Sequence, residues 1–288
     1  MLGSPVDHSL SPVLHRAGYA ALGLRRWSYE RIDCDGQSLP GLVGLLDASW
    51  VGLSVTMPAK SAAAAAASGR SARVELLGVA NTLVRSNSAG HAGWFAENTD
   101  VDGVIGALRA HGLDRPGTVL LLGGGGTALS AVAAISELAA DAVVVAGRRE
   151  ESCSRAMDLA RQLGLPATAC SFTAAGLAAA ARDAELVIST VPAGAADPFA
   201  GVLADVPVLV DVVYHPWPTP LAAAGAAGRV TVTGLDMLLH QALRQFELFT
   251  GRQAPAAAMR DALLSSVGYP LPLPIVDKPA PPRWSVTR

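Results

Sequence analysis

The sequence predicts an α/β fold built on a mostly parallel sheet. Residues 119–149 contain an unbroken apolar run, four consecutive glycines, an apolar helical run and a second short apolar run that ends in two arginines. An apolar run without alternation is typical of a parallel strand that is covered on both faces. Further along the chain, short apolar runs alternate with helical patterns, which indicates repeated βα units.

The glycine run marks a candidate phosphate-binding turn. Gly123, Gly125 and Ala128 fit the G-x-G-x-x-G/A spacing of dinucleotide-binding βαβ units. The first glycine makes the turn, the second admits a pyrophosphate, and free amides at the helix start face the phosphates. A glycine-rich turn in another kind of α/β sheet is the alternative. The candidate cofactor-binding residues of this turn are Gly123, Gly124, Gly125, Gly126 and Thr127.

The end of the second strand indicates which dinucleotide binds. An NAD site usually carries Asp or Glu there, which accepts a hydrogen bond from the ribose 2′-hydroxyl. In this chain the predicted strand 142–146 runs into Gly147, Arg148 and Arg149. Arginines attract a 2′-phosphate, whereas a carboxylate would repel it. The sequence therefore predicts NADP(H), and two solvated arginines on a surface loop are the alternative.

The composition indicates a well-cored globular protein and argues against several classes of function. Hydrophobic residues make up 51% of the 288 residues and charged residues 16%, which argues against disorder. The net charge of −2 predicts neither a nucleic-acid nor an anionic-membrane partner. The alanine run at 62–67 is too short to span a bilayer and predicts a helix.

The cysteines predict a reducing compartment. Cys34, Cys153 and Cys170 are odd in number and lack the spacing of metal ligands. Reduced thiols of this kind are typical of cytoplasmic proteins. We therefore expect a cytoplasmic protein without a bound metal.

A serine-rich turn begins the first predicted helix, at residues 13–22. Ser11 fits the N-cap position with Pro12 at the first helical position, which by itself would explain Ser11. Ser9 and Ser11 would also present two hydroxyls beside a helix N-terminus, a setting that suits a carboxylate. Only Met1 and Leu2 precede the turn that should follow the first strand, so we expect that Met1 is not the natural start.

Lys60 is the most informative residue of the next predicted βα unit, a strand at 51–55 and a helix that begins at Pro58. It falls in the first turn of that helix, where a cation opposes the helix dipole. Because lysine is a poor choice for stability there, its presence favours a functional role over that of a solvated surface lysine.

The remaining predicted elements complete the alternation. Paired strands are expected at 79–84 and 94–100, with Thr99 or Asp100 capping a helix at 101–110. The long helix 235–249 precedes a proline-rich loose tail at 269–288. The other expected strands lie at 27–32, 185–190, 208–213 and 229–232, and the other expected helices at 39–46, 154–163 and 177–184.

Together these stretches resemble the shikimate dehydrogenase family, from Gly3 to about residue 267. The motifs that carry the resemblance are HSLSP at 8–12, SVTMPAK at 54–60, the pair Asn81-Thr82, NTD at 98–100 and GLDMLLHQ at 234–241. The resemblance implies a substrate-binding α/β domain at 1–100 and a Rossmann-type NADP-binding domain at 101–233. Helices at 234–268 would return to the first domain, and the tail would follow.

The resemblance also implies an activity, the NADPH-dependent reversible reduction of 3-dehydroshikimate to shikimate in aromatic amino-acid (chorismate) biosynthesis. Lys60 and Asp100 would be the catalytic pair, and Val212 and Gly234 would lie on the cofactor side. The only partner implied is the small-molecule substrate, and we expect a monomer or homodimer. The substrate-binding residues would be Ser9, Ser11, Thr56, Asn81, Tyr214 and Gln241.

Three departures from the family pattern matter. Ala72 stands where the family often has an acidic residue upstream of the Asn-Thr pair, and so a minor contact on the cofactor side is missing. Ser54 stands where the lysine motif usually has Asn, and Gly147 stands where the NADP loop usually begins with Asn. The alternative functions are an NAD-linked quinate/shikimate dehydrogenase and a cofactor-binding regulator without turnover. The missing acid after the second strand disfavours the first alternative, and retention of both Lys60 and Asp100 disfavours the second.

Overall fold

The computed structural model describes residues 1–86 and 93–276, which form two compact α/β units. The first unit contains Met1–Gly103 together with residues from Leu238 onward, and the second contains Val104–Met237. Each of the two chain connections between the units runs through a helix, Asp100–Ala110 and then Gly234–Thr250. The alternation of strands and helices confirms the predicted α/β class.

The first unit holds short strands in two sheets. A parallel pair is formed by β1 (Leu2–Gly3) and β2 (Ile32–Asp33). The second sheet has the order β3-β5-β6-β4, in which β5 and β6 pair antiparallel, as the sequence predicted. The turn between those two strands lies mostly outside the described residues. The strands of this sheet are β3 (Gly52–Ser54), β4 (Gly69–Arg70), β5 (Thr82–Ser86) and β6 (Gly93–Glu97).

Helices of the first unit cover these sheets and form a core with them. Fully buried Leu53, Ala63 and Leu83 pack together between the second sheet and its helices. The helix with Lys60 begins at Lys60 itself rather than at Pro58, because a turn closed by Ala59 N and Thr56 O comes first. The helices are α1 (Ser11–Ala21), α2 (Leu39–Leu45), α3 (Lys60–Ala66) and α4 (Ala72–Leu77). The next helix, α5 (Asp100–Ala110), begins in this unit and continues into the second.

The strand predicted at 27–32 is wrong over most of its length. Only its last residue, Ile32, pairs with β1, because β1 offers a partner to two residues only. The backbone before it is satisfied in other ways. Arg16 donates to Tyr29 O from Nε at 3.0 Å and from Nη2 at 2.6 Å.

The second unit is a fully parallel six-stranded sheet with the order β12-β11-β10-β7-β8-β9. Its central strand begins at Thr118, and Val119 and Leu120 are completely buried, which confirms the prediction of a strand covered on both faces. Chain order reverses between β10 and β7, where ligands of such sheets bind. The strands are β7 (Thr118–Leu122), β8 (Ala142–Ala146), β9 (Ala167–Cys170), β10 (Leu186–Ser189), β11 (Val208–Asp211) and β12 (Val230–Thr233).

Helices follow most of these strands. The helix after β8 begins at Glu150, earlier than predicted, and its two leading glutamates favour the positive end of the helix dipole. Strand β9 was missed from the sequence because it is a short edge strand with exposed residues and no apolar run. The helices are α6 (Gly126–Glu137), α7 (Glu150–Gln162), α8 (Ala174–Ala181) and α9 (Pro220–Ala223).

The chain returns to the first unit along α10 (Gly234–Thr250) and adds α11 (Ala256–Val267). The prediction of a loose tail from 269 is wrong for its described part, which ends at 276. Leu273 is completely buried, and His240 Nε2 lies 3.2 Å from Pro274 O. The buried Leu273 side chain therefore holds the start of the proline-rich segment against the first unit.

His15 on α1 is buried among aromatic rings. Its ring stacks on Tyr29 with centroids 4.3 Å apart, and Phe246 and Phe249 lie within 6.2 Å and 5.7 Å. Neither ring nitrogen has a hydrogen-bond partner among the described residues. Burial disfavours the charged imidazolium and lowers the pKa of His15 from 6.5 to about 3.

We expect His15 to make the stability depend on pH on the acid side. Below pH 6.5 the His15 imidazole is protonated in the unfolded chain, whereas in the folded chain it stays neutral down to about pH 3. Stability should therefore be full above pH 6.5 and fall with decreasing pH, by up to about 1.4 kcal/mol per unit. Chemical unfolding of His15→Leu between pH 4 and 7 should show a shallower dependence. His8→Leu, at an exposed position, is the control and should keep the parent slope; an unchanged slope in His15→Leu would refute the assignment.

Candidate active site

Lys60 and Asp100 both belong to the first unit and form an ion pair at the starts of two helices. Lys60 is the first residue of α3, and Asp100 is the first residue of α5. Lys60 Nζ donates to Asp100 Oδ2, and the two side chains are 14% and 7% exposed. The pair is thus shielded from bulk water but not sealed off, which suits a group that must meet a ligand.

The choice of lysine at position 60 is itself informative. The 22 basic residues comprise 20 arginines and two lysines, Lys60 and Lys278. An arginine could also pair with Asp100, but the guanidinium does not give up its proton in proteins, whereas an ammonium can. A chain that uses arginine at every other basic position except Lys278 thus has lysine at the place where proton transfer would need it.

Asn81 holds the other oxygen of Asp100. Its Nδ2 donates to Asp100 Oδ1 at 2.8 Å, while its Oδ1 accepts from Thr99 N at 2.7 Å. The amide is therefore oriented with its NH₂ group toward the carboxylate. Asp100 is the first residue of α5 and therefore not its N-cap, and Asn98 Oδ1 accepts from Asp100 N at 3.1 Å. The capping role considered for Thr99 stays a prediction.

Gln241 on α10 joins the same cluster. Its Oε1 accepts from Asn81 Nδ2 at 3.3 Å and from Thr99 Oγ1 at 3.5 Å. All three side chains are buried. The structure therefore brings Lys60, Asp100, Asn81 and Gln241 into one hydrogen-bonded group, although they are spread over the chain.

Ser9 and Ser11 lie buried at the start of α1. The prediction that Ser11 caps this helix is wrong, because Ser11 is its first residue and the N-cap, Leu10, makes no side-chain cap. Instead Ser9 Oγ accepts from Ser11 N at 3.3 Å, and Arg31 Nη2 donates to Ser9 O at 2.6 Å. The Ser11 hydroxyl adjoins Tyr29, and so reaches the same polar region.

Thr56 and Ser54 stand at the end of β3. Thr56 is half-buried and its methyl group packs against Gly3, so its place in a substrate site stays a prediction. Ser54 is buried, and its hydroxyl accepts from Tyr29 Oη at 2.5 Å and donates to Gln245 Oε1 at 2.7 Å. Ser54, which is shorter than the Asn usual at this position, therefore uses its hydroxyl both as an acceptor and as a donor.

Residues of this cluster that sequence reasoning missed are Tyr29 and Gln245, whereas Thr82 and Thr99 appeared only as members of motifs and were given no role in the site. Gln245 Nε2 donates to Thr82 Oγ1 at 2.8 Å and to Asn81 O at 3.0 Å. One signal was available for Gln245, since it follows Gln241 by one helical turn and shares its face. None pointed to Tyr29, which acts through contacts distant in sequence.

In the second unit, the glycine turn follows β7 at the point where chain order reverses. Gly123 has φ +114°, and a Cβ there would lie 2.4 Å from Thr190 Oγ1, just past β10. A Cβ on Gly124 would meet the Ser152 carbonyl at 2.5 Å, whereas Gly125 faces open space. The first two glycines are thus required by the turn and its packing, and the third leaves room for a ligand.

The N-terminus of α6 carries no side-chain cap. The N-cap residue is Gly125, which has no side chain to accept from the first amides, and the helix continues with Gly126 and Thr127. The positive end of the dipole of this 12-residue helix favours an anion. This part of the site fits the phosphates of a dinucleotide.

Gly123→Ala should destabilise the second unit, because alanine would combine an unfavourable φ with a steric clash, costs of roughly 1 to 3 kcal/mol. Gly125→Ala is the matched comparison, since its φ of −79° suits any residue. Gly125→Ala should keep the parent melting temperature and weaken NADPH binding in a fluorescence titration. Equal melting temperatures for Gly123→Ala and the parent would contradict the role given to Gly123.

Arg148 and Arg149 follow β8, beside the glycine turn at the end of the neighbouring strand β7. Gly147 before them has a structural reason, because a Cβ would lie 2.8 Å from Cys153 Sγ on α7. The usual Asn would therefore force that buried thiol to move. Two glutamates come next in the sequence and begin α7. Arg148 and Arg149 are therefore the cations nearest in sequence to the end of β8.

Val212, Tyr214 and Gly234 lie together in the second unit. A Cβ on Gly234 would stand 2.2 Å from Val212 O and 3.2 Å from the Tyr214 ring, so only glycine allows this approach. Asp211 Oδ2 accepts from Thr219 Oγ1 at 2.7 Å and so closes the loop that carries Tyr214. The contact predicted between Tyr214 and substrate stays a prediction.

Two further properties concern the described residues as a whole. Within 1–86 and 93–276, no three His, Cys, Asp or Glu side chains are grouped as they would be around a metal ion. Over the same ranges, every helix is too short or too polar to cross a membrane.

Comparison with known proteins identifies the family. The model of the shikimate dehydrogenase substrate binding domain matches residues 1–83, and that of the shikimate 5'-dehydrogenase C-terminal domain matches residues 234–264. The NADP(+) shikimate dehydrogenase of Methanopyrus kandleri is 35% identical over 276 residues, which cover 92% of this chain and 93% of the relative.

Solved structures agree with these matches. The crystal structure of Mycobacterium tuberculosis shikimate dehydrogenase is 49% identical with a TM-score of 0.84, over 92% of this chain and 97% of that one. Shikimate 5-dehydrogenase of Thermus thermophilus, solved in complex with NADP(H) and shikimate, is 32% identical with a TM-score of 0.77, over 91% and 96%. The chain therefore belongs to the shikimate dehydrogenase family.

Proposed function

We propose that this chain is an NADP-dependent shikimate dehydrogenase, which reversibly reduces 3-dehydroshikimate to shikimate with NADPH. The observation that carries the proposal is the shielded Lys60–Asp100 ion pair, held by Asn81, in a chain of this family. A regulator without turnover would have no need of a proton donor at this place.

Lys60 acts as the acid of the reduction. Its ammonium gives a proton to the carbonyl oxygen of the substrate and takes it back in the reverse reaction. Asp100 holds the ammonium through Oδ2 and is itself fixed through Oδ1. Positioned acids and bases of this kind contribute about 10²- to 10⁴-fold to a rate.

The hydroxyl-rich residues around this pair hold the substrate. Ser9 and Ser11 bind its carboxylate, and both lie at the N-terminus of α1, where the helix dipole favours an anion. Ring hydroxyls are held by residues that also surround the catalytic pair. These residues are Thr56, Asn81 and Gln241, together with Asp100 of the pair itself. Contact of Tyr214 with the substrate stays a prediction.

The second unit fits NADP(H). The glycine turn and the uncapped start of α6 suit the pyrophosphate, and Arg148 and Arg149 suit the 2′-phosphate. Val212 and Gly234 would also contact the cofactor. Bound NADPH supplies the hydride, and the protein supplies position and the proton.

The test is turnover with shikimate and with quinate, each in the presence of NADP⁺ and of NAD⁺. We expect the highest kcat/KM with shikimate and NADP⁺. Equal use of NAD⁺ would refute the cofactor assignment, and a preference for quinate would refute the substrate assignment. Absence of turnover in all four combinations, with NADPH still bound, would favour the regulator.

As part of the proposal, the enzyme works in the cytoplasm as a monomer or homodimer, without nucleic-acid or membrane partners. The three cysteines are free thiols, which suits a reducing compartment. Light scattering after size-exclusion chromatography would measure the mass in solution, and a value above that of a dimer would contradict the assembly.

A further inference from the structure

A directed chain of hydrogen bonds runs through the first unit from Tyr29 to Asp100. Tyr29 Oη donates to Ser54 Oγ at 2.5 Å, and Ser54 Oγ donates to Gln245 Oε1 at 2.7 Å. Gln245 Nε2 donates to Thr82 Oγ1, and Thr82 Oγ1 donates to Asn81 Oδ1, both at 2.8 Å. One of these bonds, between Ser54 and Gln245, joins residues that are 191 positions apart in sequence.

The direction of the chain is fixed at its Asp100 end. An ionised carboxylate only accepts, so Asn81 must present its NH₂ group to Asp100 and its Oδ1 to Thr82. A hydroxyl has a single hydrogen, so Thr82, having donated to Asn81, can only accept from Gln245. Each link therefore determines the next one.

The direction is fixed independently at Gln245. Its Nε2 also donates to the backbone oxygen of Asn81 at 3.0 Å, and a carbonyl can only accept. The Gln245 amide is thus held with its oxygen toward Ser54, whose hydroxyl is in turn held by Tyr29. Burial raises the pKa of the Tyr29 phenol well above its ordinary value, so it remains a donor.

We infer that Gln245 is a positioning residue for the reaction, which acts through Thr82 on the Asn81 amide and so holds Asp100 and Lys60 in place. Tyr29 and Ser54 fix the Gln245 amide, which explains how this chain works with Ser54 where the family usually has Asn. The inference rests on the proposed function, because the pair is catalytic only if that function is right.

Gln245→Glu is the sharpest test, because it keeps the shape and removes the NH₂ group. When ionised, the introduced carboxylate can only accept, so it repels Asn81 O and turns the Thr82 hydroxyl away from Asn81. When protonated, the introduced carboxyl group can donate again. We therefore expect kcat to fall about 10- to 100-fold at high pH and to recover relative to the parent as pH falls.

Neighbouring groups do not mimic this response. The described titratable groups around Gln245 are His15 on α1, Tyr29, and the Lys60–Asp100 pair. All of them are also present in the parent, so the ratio of variant to parent at each pH removes their parent titration and keeps only the introduced carboxyl group and its coupling to them. Gln245→Met, which can neither donate nor accept strongly, should lower kcat by a factor that does not vary with pH.

Phe246→Leu is the control for general loss of stability, since Phe246 is completely buried on the same helix. It should lower the melting temperature and leave the pH profile of kcat unchanged. Parent-like kcat in both Gln245 variants, or a Gln245→Glu ratio that is flat with pH, would overturn the inference. Failure of the proposed function would look different, because the parent itself would then lack turnover.

Discussion

Lys60→Ala should abolish most turnover while NADPH still binds. The substitution removes the proton donor and takes from Asp100 Oδ2 its ammonium partner, so a loss of about 10²- to 10⁴-fold in kcat is expected. The proposed cofactor-binding residues lie in the second unit and Lys60 in the first. Steady-state kinetics would give kcat, and a fluorescence titration would give the Kd for NADPH.

Lys60→Arg separates the charge of Lys60 from its proton. Arginine keeps a cation beside Asp100 but does not give up its proton, so turnover should remain low even where the fold and substrate binding survive. If Lys60→Ala or Lys60→Arg turned over at near-parent rates, the role of Lys60 as acid would be wrong.

Replacing both Arg148 and Arg149 with alanine should change the cofactor preference. Loss of one charged hydrogen bond costs roughly 1.5 to 3 kcal/mol, or about 10- to 100-fold in affinity. The KM for NADP⁺ should therefore rise strongly, whereas the KM for NAD⁺, which lacks the 2′-phosphate, should change little. Initial rates over a range of each cofactor would measure both constants.

Arg161→Ala is the matched control, because this exposed arginine lies near the end of α7 and forms its ion pair with Asp158, at 3.1 Å. It should leave both KM values unchanged. A parallel rise in the KM for NAD⁺ in the double variant would show that the arginines support the loop rather than select the phosphate.

The sequence determined the class of the second unit and the position of its glycine turn. The reason is that the signals are local, since a strand buried on both faces must be apolar and a turn with positive φ at Gly123 requires glycine. Motif order likewise indicated the family, and with it Lys60, Asp100 and Asn81. Where the local signal was weak, as in the exposed edge strand β9, the prediction failed.

The tertiary structure alone decided which groups act together in the first unit. Ser11 and Leu273 show this clearly, because whether a serine caps a helix or a proline-rich segment packs depends on neighbours that the local sequence does not contain. The same holds for Tyr29, Thr82 and Gln245. Donor and acceptor directions are properties of a whole buried network, and only the fold brings its members within hydrogen-bonding distance.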